Sequence, residues 1–401
     1  MEIKGKFTTA VVMTENIDQV TYSQILELCN QEMFKGKKIR IMPDCHKGKG
    51  SVIGFTAEVG DKICPNIVGV DISCSISAYK IAGITKDNVD FEKLDKVIRQ
   101  HVPSGTNIRN NISSAVTYQL EHAIREVNKD IGDEDGTRDL KSIGTLGGGN
   151  HFIELNEDSR GGIWLCIHCG SRNFGKRICD FHQKKAIKLY QEQRERKRRE
   201  ILEKIPCKER QDALKNIEIE WIEPELRYLE GEDMALYIKH MRVAEDFAKM
   251  NHHVIRNEIF RNMGWCLCEE IFTNHNYVEV YSCLDLMIRK GAICAGPGMP
   301  VIIPLNMRDG SIIGIGKGNP EWNWSAPHGA GRILSRNQAK SQLSLEEFQK
   351  EMNGIWTSCV HNSTLDESPM AYKKKEDILE RLEETIEIVD IIKPIYNFKA
   401  S

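Results

Sequence analysis

Hydrophobic positions along the chain follow two periods. Short apolar runs, rich in β-branched residues and bordered by glycine or polar turns, recur at residues 38–42, 52–59, 76–81, 162–168, 277–281 and 311–315, and predict strands. Between them, apolar residues return at helical spacing over 22–33, 91–101, 234–259 and 373–389, the last with Ile378, Leu382 and Ile386 four residues apart. No internal repeat and no low-complexity linker divides this pattern. It predicts an α+β (mixed α/β) fold in a single large domain over 1–401, with a β-sheet core and surrounding helices.

One stretch departs from both periods. From Gly175 to about residue 217 the chain becomes strongly charged, with Arg194, Arg196, Lys197, Arg198 and Arg199 interleaved with Glu192, Glu195 and Glu200. Basic runs can grip phosphate backbones. Here the glutamates permit pairing at i, i+4, so a solvated helix returning as a hairpin is the favoured reading. It is expected as a charged helical insertion, 175–230, within the one domain.

Composition narrows the picture little. A hydrophobic content of 40% with 28% charged residues is that of a globular chain, and a formal charge of −3 gives no overall pull toward polyanions. Any phosphate site must be a local patch. The first residues carry Glu2, Lys4 and Lys6, and no later stretch approaches the roughly 20 apolar residues of a membrane span, so a soluble cytoplasmic protein is expected. Thirteen cysteines without a secretion signal argue for reduced thiols. The close pairs Cys166/Cys169 and Cys266/Cys268 lack the doubled pattern of a structural zinc site.

Chemistry-bearing residues fall repeatedly where an apolar run meets a glycine-rich or small-residue loop, a place from which side chains can converge on a cleft. Five such junctions occur: Pro43-Asp44-Cys45-His46, running on to Gly50; Gly69-Val70-Asp71-Ile72-Ser73-Cys74; Gly144 through Gly147, Asn150 and His151 to Glu154; His168-Cys169-Gly170-Ser171-Arg172; and His328-Gly329-Ala330-Gly331-Arg332. Asp71 and Cys74 offer one ion a hard and a soft ligand from a tight loop, and His151 and His168 add borderline nitrogens. Such a mixed shell suits manganese, zinc, iron or cobalt rather than calcium or magnesium alone. The Gly147–Gly149 triplet lets backbone N–H groups approach a phosphate, and Arg172 and Arg332 follow small-residue turns from which a guanidinium could clamp one. His328, between Pro327 and Gly329, is unhindered. As a nucleophile it would attack phosphorus, and as a general acid or base it would move a proton; spacing does not choose between the two.

Taken in order, these motifs resemble the RtcB family of RNA-splicing ligases, over 43–399. The resemblance is carried by Pro43–Gly50, Gly69–Cys74, Gly144–Glu154, His168–Arg172, His328–Arg332 and Asp366–Lys373. It implies a deep metal and nucleotide cleft, and an enzyme that seals an RNA 3′-phosphate or 2′,3′-cyclic phosphate to a 5′-hydroxyl, in RNA repair or tRNA splicing, using GTP and two Mn2+ ions. By position, Asp71, Cys74, His151, His168 and His275 are implied as metal ligands with Cys74 shared, and His328 as the residue that takes GMP. Asn150, Phe152, Glu154, Ser311, Ala330, Gly331, Tyr372 and Lys399 are implied at the nucleotide, and Asp44, His46, Arg172 and Arg332 at phosphate or RNA. Partners would be RNA with the matching ends, from tRNA or ribosomal RNA, with room for a helper protein. The alternative is a metal-dependent RNA phosphoesterase that keeps the shell without ligating.

Several positions depart from the family pattern. Ser73 and Ser75 flank Cys74 where glycines are usual, the run Asn251-His252-His253 has histidine where arginine is usual, which would weaken a phosphate contact, and Pro304–Ser311 replaces a small, glycine-containing run. The tail ends Lys399-Ala400-Ser401, and the chain is short for the family, which points to a divergent bacterial-type branch.

Overall fold

Strands form at all six places the alternation predicts: Ile39–His46, Ile53–Val59, Ser75–Ile81, Ile163–Cys169, Asn276–Val280 and Gly310–Gly316. The computed structural model describes residues 1–206, 210, 221–281 and 285–400. Its strands gather mainly into two sheets. The first runs Glu2–Lys4, Thr9–Val12, Ile39–His46, Ile53–Val59, Leu286–Lys290, Asn276–Val280, antiparallel except where Thr9–Val12 lies parallel to Ile39–His46. The second runs Leu267–Asn274, Ser75–Ile81, Ile163–Cys169, Phe152–Glu157, Ile386–Lys399, Gly310–Gly316, Pro300–Asn306, and the short Trp356–Thr357 joins it parallel to Ile386–Lys399. This sheet curls until its two ends meet, with Thr273 Oγ1 donating to Ile302 O at 3.2 Å. A single residue, His275, separates a strand of the second sheet from a strand of the first.

Helices cover the sheets, so the α+β class holds. The helix Gly231–Met263 crosses both main cores: Met241, Ala244 and Phe247 pack into one, Ile255 and Ile259 into the other. Helix Phe91–His101 forms over the predicted residues, started by Asp90, whose side chain accepts from the Lys93 N–H. The helix expected over 22–33 begins earlier, at Gln19, because Asp18 caps it by accepting from Thr21 N–H, and it ends at Cys29.

Two expectations change. The helix predicted over 373–389 is helix only at Lys375–Leu382; from Ile386 the chain is a strand to Lys399, pairing Gly316 with Ile386 and Phe152 with Lys399. Ile386 falls four residues after Leu382 and so mimics a helical period. The β-branched run Ile386, Ile388, Val389, Ile391 and Ile392 favours extended backbone, and partners on both edges settle it. The charged segment begins as the helix Arg172–Glu203, but its first half is core, with Phe174, Ile178, Cys179 and Ala186 buried. Only the second half is solvated, carrying Lys188–Glu192 and Glu195–Arg199 pairs at 3.9 Å. The expected return arm falls on 207–209 and 211–220, outside the described residues. Among the described residues no helix is long and apolar enough to cross a membrane.

Candidate metal and nucleotide site

Three neighbouring strands of the second sheet bring ligand-type side chains to one end. Cys74 immediately precedes Ser75–Ile81, His151 immediately precedes Phe152–Glu157, and His168 lies near the end of Ile163–Cys169, opposite both Ile76 and Phe152. Asp71 joins them from the tight turn that Cys74 N–H closes on Asp71 O at 3.2 Å. His275 enters from the seam between the sheets. The ligand atoms of Asp71, Cys74 and His151 lie within 4.8 Å of one another, and so do those of Cys74, His168 and His275. Cys74 belongs to both groups. Its Sγ is 3.2 Å from His168 Nε2 and 3.5 Å from His151 Nε2, and Asp71 Oδ2 is 3.5 Å from that same His151 nitrogen.

The surroundings prepare these atoms for ions. His151 Nδ1 lies 2.9 Å from Leu146 O, and its Nε2 faces Cys74 and Asp71. His275 Nδ1 is buried without a hydrogen-bond partner. Burial, with neighbouring histidines, drives the His168 and His275 imidazoles well below their usual pKa, so both are neutral and able to coordinate. Burial, with Asp71 beside it, pushes the Cys74 thiol well up, so the thiolate needs an adjacent cation. One oxygen, one shared sulfur and three nitrogens fit a pair of transition-metal ions.

His328 follows the strand Ser325–Pro327, and its ring centroid lies 4.9 Å from that of His275. Asp44, fully buried in an irregular part of Ile39–His46, places Oδ2 2.7 Å from His328 Nδ1, without hydrogen-bond alignment, and accepts from Gly329 N–H at 3.2 Å. Gly331 holds this contact together. Its φ is +74°, and a Cβ there would stand 2.5 Å from Asp44 O, a backbone atom that cannot swing aside. Gly331→Ala is expected to lose at least the ~1–3 kcal/mol of a non-glycine residue in that conformation, and to displace Asp44 from His328. Urea unfolding checks the first effect and the His328 imidazole resonances the second.

Beside His328 and His168 opens a cavity of about 300 Å³. Of the residues the resemblance implies at a nucleotide, Asn150, Phe152, Glu154 and Ala330 line it, as do Gly331, Tyr372 and Lys399. Ser311 does not; it is fully buried in Gly310–Gly316, its Oγ without a partner. His46 and Arg332 are on the wall. Asp44 and Arg172 stand behind it, Asp44 on His328 and Arg172 with Nη1 3.2 Å from His151 Nδ1. Gly147 serves that arginine: a Cβ on it would fall 1.7 Å from Arg172 Nη1.

Two acids on the wall take opposite charge states. Burial pushes Glu154 up to about 8, only partly relieved by Asn397 and Lys399, so it is protonated at neutral pH. Burial would also raise Glu367, but Lys399 and Arg336 outweigh it and hold the carboxyl down at about 2. Glu367 accepts from Lys399 Nζ at 2.8 Å, Tyr372 OH at 2.7 Å and Arg332 Nη1 at 3.3 Å. Glu367 and Arg336 were not singled out from the sequence. Glu367 sits inside the Asp366–Lys373 motif, which was the available signal, whereas Arg336 carries none beyond its position after Arg332.

The family model described as tRNA-splicing ligase RtcB matches residues 26–400. The chain is 29% identical to the RNA-splicing ligase RtcB of Escherichia coli K12, over 90% of each chain. It is 27% identical to the tRNA-splicing ligase RtcB of Methanococcus maripaludis, over 94% of this chain and 90% of the relative. Against the RNA-splicing ligase RtcB of Mycobacterium tuberculosis the identity is 25%, over 84% and 91%. With a match over nearly its whole length and a Cys74-centred ligand cluster beside His328, this chain belongs to the RtcB family.

Proposed function

We propose that this chain is an RNA ligase that joins a 3′-phosphate or 2′,3′-cyclic phosphate end to a 5′-hydroxyl end through GMP carried on His328. The observation that supports it most is the pair of ligand groups sharing Cys74, with the His328 imidazole packed against one of their histidines. Asp71, Cys74 and His151 would hold one divalent ion and Cys74, His168 and His275 the other. Taken as manganese from the resemblance, the ions would supply positive charge to phosphate oxygens and to departing pyrophosphate.

In this reading His328 Nε2 attacks the α-phosphorus of GTP, forming a P–N bond as the P–O bond to pyrophosphate breaks. Asp44, against Nδ1, orients the ring and offsets the positive charge it gains. GMP then passes to an oxygen of the RNA 3′-phosphate, and the 5′-hydroxyl attacks that phosphorus with GMP as leaving group. A cyclic end is first opened by water. Phe152 and the protonated Glu154 would receive the base, and Arg332, Arg336 and Lys399 the anionic groups. The reading includes a cytoplasmic location, one catalytic domain over 1–401 with the charged segment as an insertion, and RNA ends from tRNA or ribosomal RNA. Relatives named as ligases favour it over a phosphoesterase without ligation.

GTP radiolabelled at its α-phosphate should, with Mn2+, yield an acid-labile, alkali-stable adduct on the wild-type protein and none on His328→Ala. Undiminished adduct on the variant would remove His328 from the reaction.

A further inference from the structure

Segments carrying the candidate ligands converge on one stretch of the helix Gly231–Met263. Asn251 is fully buried there, and its amide is saturated. Oδ1 accepts from Gly144 N–H at 2.7 Å and Thr145 N–H at 3.0 Å, while Nδ2 donates to Thr145 O at 3.2 Å and Gly170 O at 3.0 Å. These bonds tie the loop leading to His151 to the residue two beyond His168. His252, also buried, uses both ring nitrogens: Nδ1 is 2.7 Å from Ser77 Oγ, and Nε2 is 3.0 Å from Ser75 Oγ and 3.3 Å from Cys169 O. A carbonyl only accepts, so Nε2 carries the proton and Nδ1 accepts from the Ser77 hydroxyl. Ser75 follows Cys74 and Cys169 follows His168. Further along the helix, Glu245 lies 3.4 Å from Asn274 Nδ2, which also donates to Ser73 Oγ at 2.8 Å, linking the His275 segment to the Asp71–Cys74 loop.

A helix packed on a sheet needs only apolar contact at its buried face, as Phe247, Ala248 and Ile255 provide on either side. Two adjacent buried polar side chains with every bond made act differently, because a shift of any tethered loop would leave a buried donor or acceptor unpaired, at roughly 1–3 kcal/mol each. They fix distances between segments that apolar packing would leave free to slide.

We propose that Asn251 and His252 are the positioning pair of the metal shell, holding the Cys74 loop, the His151 loop and the end of the His168 strand at coordinating distance. This rests on the two-ion reading above. Residues that hold ligands from behind typically contribute 10-fold to 100-fold, roughly, in metal affinity.

The test uses the full chain and Co2+ alone, read by the thiolate-to-cobalt charge-transfer absorption that reports ligation by Cys74, and by thermal unfolding with and without the ion. His252→Phe keeps a ring but removes its hydrogen bonds, and Asn251→Leu removes those of the amide; both side chains are larger than the ones they replace. Each is expected to bind Co2+ about 10-fold to 100-fold more weakly, with a smaller gain in unfolding temperature on adding the ion. His252→Gln, which can again donate toward Ser75 and Cys169 O, should recover most of the affinity. Should the larger replacements fail to fold, Ser75→Ala removes one partner of His252 at little volume and is expected to weaken Co2+ several-fold. Folded variants that bind Co2+ within about twofold of wild type, with an unchanged band, would overturn the positioning role. Absence of the band in the wild type would instead sink the two-ion reading, and the positioning role with it.

Discussion

On the proposed two-ion reading, Cys74→Ala is expected to abolish binding of both ions, whereas Asp71→Ala should leave one. Cys74 Sγ is the only atom common to the two ligand groups, so its removal leaves two side chains in each, Asp71 with His151 and His168 with His275. Asp71 serves one group, and its loss leaves Cys74, His168 and His275 intact. Losing a bridging ligand should exceed the roughly 10-fold to 100-fold typical of outer residues, at both sites together. Cys179→Ala is the control, an equally buried thiol outside either group. Equilibrium dialysis against Mn2+ followed by elemental analysis gives ions per chain. Equal stoichiometry in Cys74→Ala and Cys179→Ala would refute a shared sulfur.

Glu367→Gln is expected to remove much of the protein's stability at neutral pH while flattening its dependence on acid. Glu367 is 2% exposed and gathers Lys399, itself 5% exposed, with Arg332, Arg336 and Tyr372. A neutral amide leaves the Lys399 ammonium buried without its carboxylate, a change worth about 3–5 kcal/mol. The sign with pH follows from the depressed pKa. A carboxyl held at about 2 against an ordinary 4.5 stabilises the fold fully above 4.5, and loses that contribution as pH falls from 4.5 toward 2. At roughly 1.4 kcal/mol per pH unit, the wild type should lose about 3 kcal/mol across that window. Urea unfolding at several pH values measures both effects. A variant with the wild-type slope would place the acid response elsewhere.

The cavity shows why some of the site was legible and some was not. His151, His168 and His328 each stand in a run of small residues or glycine, a local signature that marks a loop end. His275 has no such frame, and only the resemblance pointed to it; its place becomes intelligible once Leu267–Asn274 and Asn276–Val280 are seen in different sheets. Arg172 and Gly147 read separately as phosphate contacts, yet the glycine is what leaves room for the guanidinium. The run Asn251-His252-His253 reads as a weakened phosphate contact, whereas His252 is bonded to Ser75 and Ser77, two serines of the strand that follows Cys74. In each case the missing information was which distant segment lies alongside.

From the amino-acid order alone came the six strands with their alternating apolar runs, the helix 91–101, the α+β class, the family, and the loops where chemistry begins, because these depend on neighbours within a few residues. Tertiary structure decided that Ile386–Lys399 is strand rather than helix, that Cys74 belongs to two ligand groups, and that Glu367 anchors Lys399, Arg332 and Arg336. Those outcomes are pairings across scores to hundreds of residues. Their energies come from burial and from charges meeting at a few ångströms, and neither distance nor burial is a property of a stretch of chain until the whole has folded.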